Sequence, residues 1–298
     1  MLINLIAAEW LKLSRRPLSL ALLGAFLSLL LLYLGLWLLV VAFHQGMIGG
    51  VRLAVLNEAQ LAELYRQLTF PGIFGAVLGQ INGTGGIFAI LLAAGSLGSD
   101  FSWGTLRVLL TRAPQRGQLL LAKLIVLLLA LLAGALIGLA VGALLALIAG
   151  AILGAPLLPG PRDLLVLPLG VARSLLVLLP YTMIAFAAAA FGRSTLAGVG
   201  GGMAFLAIDV SAGSLGALGA ANDLLLLLVN LLLQPNINAL VVANSRLYGL
   251  DPTVLASGLD LATLPGQAQA VLVIGLYCAL AGYGAYRALA RRDIGGAA

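Results

Sequence analysis

Residues 98–123, which read GSDFSWGTLRVLLTRAPQRGQLLLAK, separate two long runs of apolar residues. The stretch contains one acid, Asp100, and four cations, which are Arg107, Arg112, Arg116 and Lys123. Short loops on the cytoplasmic side of a membrane carry an excess of Lys and Arg. We therefore expect this stretch to be a cytoplasmic connection between two membrane spans, with a surface for docking inside the cell.

The composition of the whole chain agrees with a membrane location. Only 9% of its 298 residues are charged, 62% are hydrophobic and the mean hydropathy is +1.14, whereas a soluble domain carries about 25% charged residues. Backbone groups in lipid must be hydrogen-bonded internally, so apolar runs of about 20 residues are expected to be helices. The alternating pattern of barrel strands is absent from the sequence. The predicted fold class is an all-α polytopic membrane protein forming a single transmembrane domain over residues 1–298.

The N-terminal residues 1–16 have an amphipathic pattern. Leu2, Ile6, Trp10 and Leu13 fall on one helical face, which predicts a helix lying in the membrane interface. A cleaved signal peptide is the alternative, but the apolar run after Pro17 exceeds an ordinary signal core and no A-x-A site closes it. We therefore expect residues 18–43 to be a retained first span.

Six membrane spans are predicted in total. Their expected boundaries are residues 18–43, 72–98, 119–150, 168–191, 196–218 and 267–287. Residues 44–71 are predicted as an outside loop with a short amphipathic helix, and 155–163 as an outside turn. Pro235 is interpreted as the end of an apolar segment that is too short to cross the bilayer. Residues 212–240 are therefore predicted to be re-entrant or interfacial on the outer side. Residues 241–265 are predicted to be an outside loop.

The distribution of charge fits six spans with both termini in the cytoplasm. With these boundaries, 11 of the 16 cations and 3 of the 10 acids lie inside, so the inner side has a charge of +8 and the outer side −2. The cations thus orient the chain in the membrane, and nucleic acid is not an expected partner.

Small residues recur every four positions along the predicted third span. These are Gly134, Gly138, Gly142, Ala146, Gly150 and Gly154. Such a stripe permits close helix contact, although glycine is also common in membrane helices generally. We expect Gly134, Gly138 and Gly142 to pack against another helix.

Residues 99–116 are expected to form a short helix. Asp100 and Ser102 are suitable N-terminal caps, Arg107 and Arg112 suit its C-terminal end, and Pro114 closes it. A rigid helix of this kind transmits force. The alternative is an amphipathic helix that rests on lipid headgroups.

Three segments together resemble a known family. They are AEWLKLSRRP at residues 8–17, the connection at 98–124 and RRDI at 291–294. The chain resembles the permease subunit of ABC-type exporters, in the type-2 membrane-domain family, over nearly its whole length. Members usually have Glu where this chain has Asp100, so the charge is kept on a shorter side chain. The resemblance implies an N-terminal interfacial helix, six spans, an outside re-entrant element and a plasma-membrane location in a prokaryotic cell.

The same resemblance implies that the connection is a coupling helix bound to a separate ATPase subunit. The matching residues are Asp100, Gly104, Thr105, Arg107, Pro114, Arg116 and Lys123, to which the helix argument adds Arg112. A phosphate-binding loop needs Gly-Lys followed by Ser or Thr, whereas Lys12 and Lys123, the only lysines, are each followed by Leu. We therefore expect no catalytic residue and no cofactor in this chain. ATP and magnesium are expected on the nucleotide-binding partner, and six spans imply a second membrane subunit, in a homodimer or heterodimer.

Few other residues carry chemistry. Asp209 is the one acid expected within the bilayer and is a candidate for the transport path, or it ends a helix at a wet cavity. His44 and Cys278 lack the partners that a metal site or a disulfide requires. A secondary transporter and an integral-membrane enzyme are the alternatives, but paired inverted halves and a catalytic cluster are absent from the sequence. The transported substrate is not indicated.

Overall fold

The computed structural model describes residues 2–47, 56–104, 116–213, 222–255 and 261–290. Every regular element in these ranges is helical. In chain order they are α1 (Leu2–Ser14), α2 (Pro17–His44), α3 (Glu58–Leu68), α4 (Gly72–Asn82), α5 (Thr84–Ser102), α6 (Arg116–Leu153), α7 (Pro161–Gly192), α8 (Thr195–Gly213), α9 (Asp223–Val229), α10 (Leu233–Leu247), α11 (Pro252–Leu255), a 3₁₀ turn (Leu261–Thr263) and α12 (Gln267–Ala290).

Six helices in the described ranges are long and apolar enough to cross a membrane: α2, α5, α6, α7, α8 and α12. The chain is therefore an all-helical multi-pass membrane protein, as predicted. Many leucines on these helices are exposed, for example Leu32 of α2 and Leu272 of α12. Such side chains are stable in contact with lipid tails, which are as apolar as leucine.

The spans pack around α5 and α7, which are the most buried of the six, while α8 and α12 are the least buried. One apolar core joins α2, α4 and α6 through residues such as Leu30, Val77 and Leu139. A second core joins α5, α7 and α10 through residues such as Ile90, Phe186 and Leu240. These two cores fix the positions of the helix ends described below.

The predicted second span, residues 72–98, is two helices in the structure. The chain breaks between α4 and α5 at Gly83, whose φ and ψ of −80° and −90° are not helical. Only α5 is long enough to span, and it extends past the predicted end to Ser102. Glycine at the break lowers the cost of leaving the helical conformation.

The prediction for Pro235 was wrong, because this residue lies in the first turn of α10 rather than ending a segment. Proline is tolerated there since the first backbone N–H groups of a helix have no partner within it. As a consequence α10 continues to Leu247, into residues predicted as loop.

The predicted outside turn also ends early, because Pro161 begins α7 and the backbone N–H of Gly160 donates to Asp163 at 2.8 Å.

The other predicted spans have their expected centres. The first is one residue longer at each end, and the third and sixth are extended to Leu153 and Ala290. The N-terminal residues 2–14 and the loop residues 58–68 are helical, as their amphipathic patterns indicated. Most of the predicted coupling helix, residues 105–115, lies outside the described residues.

Candidate functional site

Five charged side chains from three parts of the chain meet where α5 ends and α6 begins. Glu9 and Lys12 belong to α1, Arg16 joins α1 to α2, Asp100 lies in the last turn of α5, and Lys123 is in α6. We call these five residues the charged cluster. Buried charges are stable only when they are paired and hydrogen-bonded, so the contacts within the cluster determine how these three parts are joined.

Asp100 is the centre of the charged cluster. Its side chain is 0% exposed, and its carboxylate oxygens lie 2.5 Å from Lys123 Nζ and 3.2 Å from Arg16 Nη2. Lys12 Nζ also donates to Asp100 Oδ1. One carboxylate therefore binds three cations, of which one follows the connection and two belong to the N-terminal segment.

Glu9 supplies the second acid of the cluster. Lys123, which is 1% exposed, donates to Glu9 Oε2 at 2.6 Å, and Lys12 Nζ lies 3.9 Å from Glu9 Oε1. With all groups ionised, the cluster has three cations, two anions and a net charge of +1. Lys123 joins α6 to α1 through Glu9 and to α5 through Asp100, so its position holds three helices together.

Arg16 binds the C-terminal end of α5. Its Nη1 donates to the carbonyl of Gly95 at 3.1 Å and to Ser99 Oγ at 2.7 Å, and its guanidinium lies 5.2 Å from the ring centre of Trp103. A cation at a helix C-terminus is favoured by the macrodipole, and a guanidinium over an aromatic face gains further attraction. These contacts stabilise the last turn of α5 against the start of α2.

Lys12 is the cluster member with the most accessible ammonium. Burial lowers its pKa, and so does the charge of Lys123, whereas Asp100 and Glu9 act in the opposite direction. Its side chain remains 27% exposed. Lys12 therefore combines access to solvent with a reduced preference for the charged form.

The structure changes the role expected of Asp100. The sequence analysis placed Asp100 and Ser102 at the N-terminus of a coupling helix, but both lie in the last turn of α5. Ser102 Oγ donates to the carbonyl of Gly98 at 3.1 Å, within its own helix. The apolar run simply continues as helix through these residues, because the ion pairs of Asp100 compensate its burial.

The other predicted coupling residues divide into two groups. Gly104 follows α5 with a φ of +67°, a conformation that glycine adopts without strain. Arg116 is the first residue of α6 and donates to the carbonyls of Leu289 and Ala290, both at 3.0 Å, at the described end of α12. The remaining four lie outside the described residues; they are Thr105, Arg107, Arg112 and Pro114.

The sequence did not indicate that Lys12 and Arg16 are partners of Asp100, or that Glu9 is a partner of Lys123. In the structure Glu9 is buried, whereas Lys12 is partly exposed. The available signal was the presence of opposite charges near the ends of three helices, α1, α5 and α6. That signal does not specify which charges pair, because the pairs that join the N-terminal segment to Asp100 or Lys123 are 84 or more residues apart in the chain.

Asp209 lies in a second polar site, between α7, α8 and α10. Its side chain accepts a hydrogen bond from the Tyr181 hydroxyl at 2.7 Å and from the Gln234 backbone N–H at 3.1 Å. Gln234 is in the first turn of α10, so Asp209 satisfies a helix N-terminus from a neighbouring helix and is favoured there by the macrodipole. The residue is 5% exposed, and its contacts give it a part in holding α8 to α10.

The glycines of α6 have different surroundings. Gly138 lies against Phe26 and Leu30 of α2, and Gly142 lies so close to Val77 of α4 that no side chain would fit. At Gly134 the nearest atom to an added Cβ would be Leu23 Cδ1 at 3.9 Å, so this glycine has space beside it. Close helix contact therefore uses the middle of the stripe, and its first glycine borders a cavity.

In the part of the chain that the structure describes, no three His, Cys, Asp or Glu residues are grouped so as to hold a metal ion. The two polar sites join their helices by ion pairs and hydrogen bonds.

Residues 84–215 match a family model that is described as a protein of unknown function (DUF2705). The matched range covers fewer than half of the 298 residues. It contains Asp100, Lys123 and Asp209, but not residues 9–16, which supply the other members of the charged cluster. No curated protein matches the chain.

Proposed function

We propose that this chain is the membrane-spanning permease subunit of an ATP-driven ABC-type exporter. In this proposal the chain forms the substrate pathway with a second membrane subunit, identical or different. It is coupled to a separate nucleotide-binding ATPase subunit, which carries ATP and magnesium. The complex lies in the plasma membrane of a prokaryotic cell with both termini of this chain in the cytoplasm.

The charged cluster is the observation that carries the proposal. Asp100 precedes residues 105–115 and Lys123 follows them, and the two side chains are ion-paired with each other and with the N-terminal segment. A force applied to residues 105–115 therefore acts on α5, α6 and α1 together. A connection anchored in this way suits a segment that receives a push from an ATPase.

Close packing offers a route from α5 to the other spans. A Cβ at Gly98 would collide with the backbone of Thr195, the first residue of α8. Gly198 and Gly202 of α8 are in equally close contact with α5 and α7. Interfaces this tight move as units rather than deforming, so closure of the ATPase subunits would tilt these spans and open a path between the two membrane halves.

Two further elements are consistent with this arrangement. Helix α1 exposes Ile3 and Leu11 while burying Leu13, which suits a helix in the membrane interface. Helix α10 has 15 residues, which correspond to about 22 Å and fall short of a hydrocarbon core of about 30 Å. We assign α9 and α10 to a re-entrant element on the outer side, held at its base by Asp209.

The test is recovery of an ATPase with the tagged full chain from its native membrane in a gentle detergent. We compare the wild type with Arg107→Ala/Arg112→Ala, which changes the proposed docking surface and leaves the charged cluster intact. The matched control is Arg162→Ala/Arg246→Ala, which removes two exposed arginines from the proposed outer side. We expect ATPase activity with the wild type and the control and its loss with the first variant.

Absence of ATPase activity from all three eluates would contradict the proposal and favour a stand-alone transporter or membrane enzyme. Equal recovery with all three would retain an ATPase partner but place its contact elsewhere. The orientation is tested separately with C-terminal fusions, since alkaline phosphatase is active only outside the cytoplasm. Phosphatase activity in such a fusion would contradict a cytoplasmic C-terminus.

A further inference from the structure

An apolar cavity of about 220 Å³ lies between α1, α2, α5 and α6, next to the charged cluster. Trp10, Leu13 and Ser14 of α1 close one end of it. Its walls are apolar side chains of three membrane-spanning helices, and it borders exposed residues such as Leu20 and Ile137. No described side chain fills this space, and the exposed leucine and isoleucine at its border are suited to contact with lipid tails.

The cavity extends along two of the membrane-spanning helices, α5 and α6. On α6 it extends from Ala130 to Ile137, and on α5 from Gly85 to Leu92. Seven residues of helix correspond to about 10 Å, and half of a hydrocarbon core is about 15 Å. A cavity of this length along the helices accommodates about two thirds of an acyl chain that crosses one leaflet.

Polar and basic groups lie at the α1 end of the cavity. Ser19 lines it, and the Ser19 hydroxyl has no hydrogen-bond partner in the described part of the chain. Arg15, which directly follows the lining residue Ser14, is exposed and has no ion-pair partner among the described residues. Lys12, on the same helix, keeps part of its side chain accessible. An ester oxygen would satisfy the hydroxyl, and a phosphate would pair with the cations.

We propose that this cavity is a binding site for one anionic phospholipid, with an acyl chain between α2, α5 and α6 and the headgroup beside Lys12 and Arg15. The apolar walls select the chain, and the exposed cations at one end select the charge of the headgroup. The lipid also covers apolar surface beneath α1, so it supports the helix that carries Glu9 and Lys12 of the charged cluster. This site does not depend on an ATPase partner.

The test measures lipid bound to the purified full chain by native mass spectrometry. The protein is stripped with detergent and titrated with dioleoyl phosphatidylglycerol or dioleoyl phosphatidylcholine. Gly134→Leu fills the cavity, because an added Cβ there meets nothing closer than 3.9 Å. The matched control is Gly24→Leu, the same change at an exposed glycine of α2 with no atom within 4 Å of an added Cβ.

We expect the wild type to bind one phosphatidylglycerol with the highest affinity. Gly134→Leu should lower this affinity about tenfold, since burial of two methylene groups corresponds to roughly that factor. Gly24→Leu should leave it unchanged. Arg15→Gln should reduce the preference for phosphatidylglycerol over phosphatidylcholine about fivefold, the usual effect of one cation at an anionic surface.

Equal affinity in the wild type and Gly134→Leu would overturn the proposal and assign the retained lipid to the general protein surface. An equal loss of phosphatidylglycerol affinity in Gly24→Leu would also overturn the proposal, because that change does not touch the cavity. If Gly134→Leu does not fold, Ala130→Leu fills the cavity from another position on the same helix and is judged by the same outcomes. Equal binding of the two lipids by the wild type would overturn the headgroup assignment.

Discussion

Asp100 and Lys123 lie on opposite sides of residues 105–115, yet the carboxylate of one and the ammonium of the other are 2.5 Å apart. Both side chains are almost completely buried. The pair therefore fixes the distance between the end of α5 and the beginning of α6. Any movement of the connecting segment must move both helices or break this buried ion pair. Breaking the pair is costly, because it leaves a buried charge without its partner.

The charge balance of the cluster predicts an order of destabilisation. Asp100→Asn leaves three cations with one acid, and we expect a loss of about 3–5 kcal/mol in the free energy of unfolding, as for other buried pairs that lose one partner. Lys123→Met leaves two cations and two acids, so its loss should be smaller. The double variant should lose less than the sum of the two single changes. Denaturant titration in mixed micelles gives all three values.

Arg162→Met is the control for these measurements, because Arg162 is exposed and lies outside both the cluster and the proposed lipid site. It should change the free energy of unfolding by less than about 0.5 kcal/mol. A larger loss for Lys123→Met than for Asp100→Asn would contradict the role of charge balance in this site.

Amine labelling distinguishes the two lysines of the chain. Lys12 is partly exposed and its pKa is below the ordinary value of 10.5, so its free amine is present at lower pH than that of an ordinary lysine. In the folded protein the acylation rate of Lys12 should therefore reach half its maximum below pH 10.5. Lys123, which is 1% exposed, should react much more slowly. Peptide mapping after labelling over a pH series measures both rates.

The unfolded chain is the reference for this measurement. In sodium dodecyl sulfate both lysines should react at similar rates, with the half-maximal rate of Lys12 moved towards higher pH. Equal rates for Lys12 and Lys123 in the folded protein would show that Lys123 is accessible and would contradict its position in the cluster.

The contact between α5 and α8 predicts a difference between two glycine substitutions. Gly98→Ala places a Cβ against the backbone of Thr195, and overpacking of this kind costs about 1–3 kcal/mol. Gly200→Ala, on the exposed side of α8, places its Cβ where no atom lies within 4 Å. It should stabilise the helix, by up to about 1 kcal/mol. Thermal unfolding in detergent should give a lower Tm for the first variant and an equal or higher one for the second.

Much of the fold could be predicted from the sequence because length and hydropathy decide which segments span a membrane. The first and sixth spans begin within one residue of their predicted positions. The break at Gly83 and the continuation of α10 past Pro235 were missed, since a glycine or proline has a different meaning at the centre of a helix and in its first turn. The surrounding helices decide which of these applies.

The candidate site was predictable only in part. Asp100 and Lys123 stand out as charges at the ends of apolar segments, but their partners Glu9, Lys12 and Arg16 come from the other end of the sequence. Pairing across such distances depends on how the helices pack, and a single sequence contains no record of it. The role of Asp209 could not be predicted for the same reason, because one of its partners is a backbone N–H whose position is set by α10.

Asp209 is predicted to act through its acceptor oxygens at the start of α10. Asp209→Ala leaves the Gln234 N–H and the Tyr181 hydroxyl without their acceptor, and a buried polar group left in this way costs about 1–3 kcal/mol. Asp209→Asn keeps one carbonyl oxygen for the Gln234 N–H and should lose less. Hydrogen exchange of peptides from α10 should therefore accelerate strongly in the first variant and weakly in the second. Ser211→Ala, an exposed change on the same helix, should leave the exchange unchanged.

If the Asn variant exchanges as fast as the Ala variant, the negative charge is required in addition to the acceptor, and attraction to the positive end of α10 is the stronger part of the contact. If neither variant changes the exchange of α10, Asp209 does not hold this helix, and its burial among polar groups has to be explained by a role in the transport path instead.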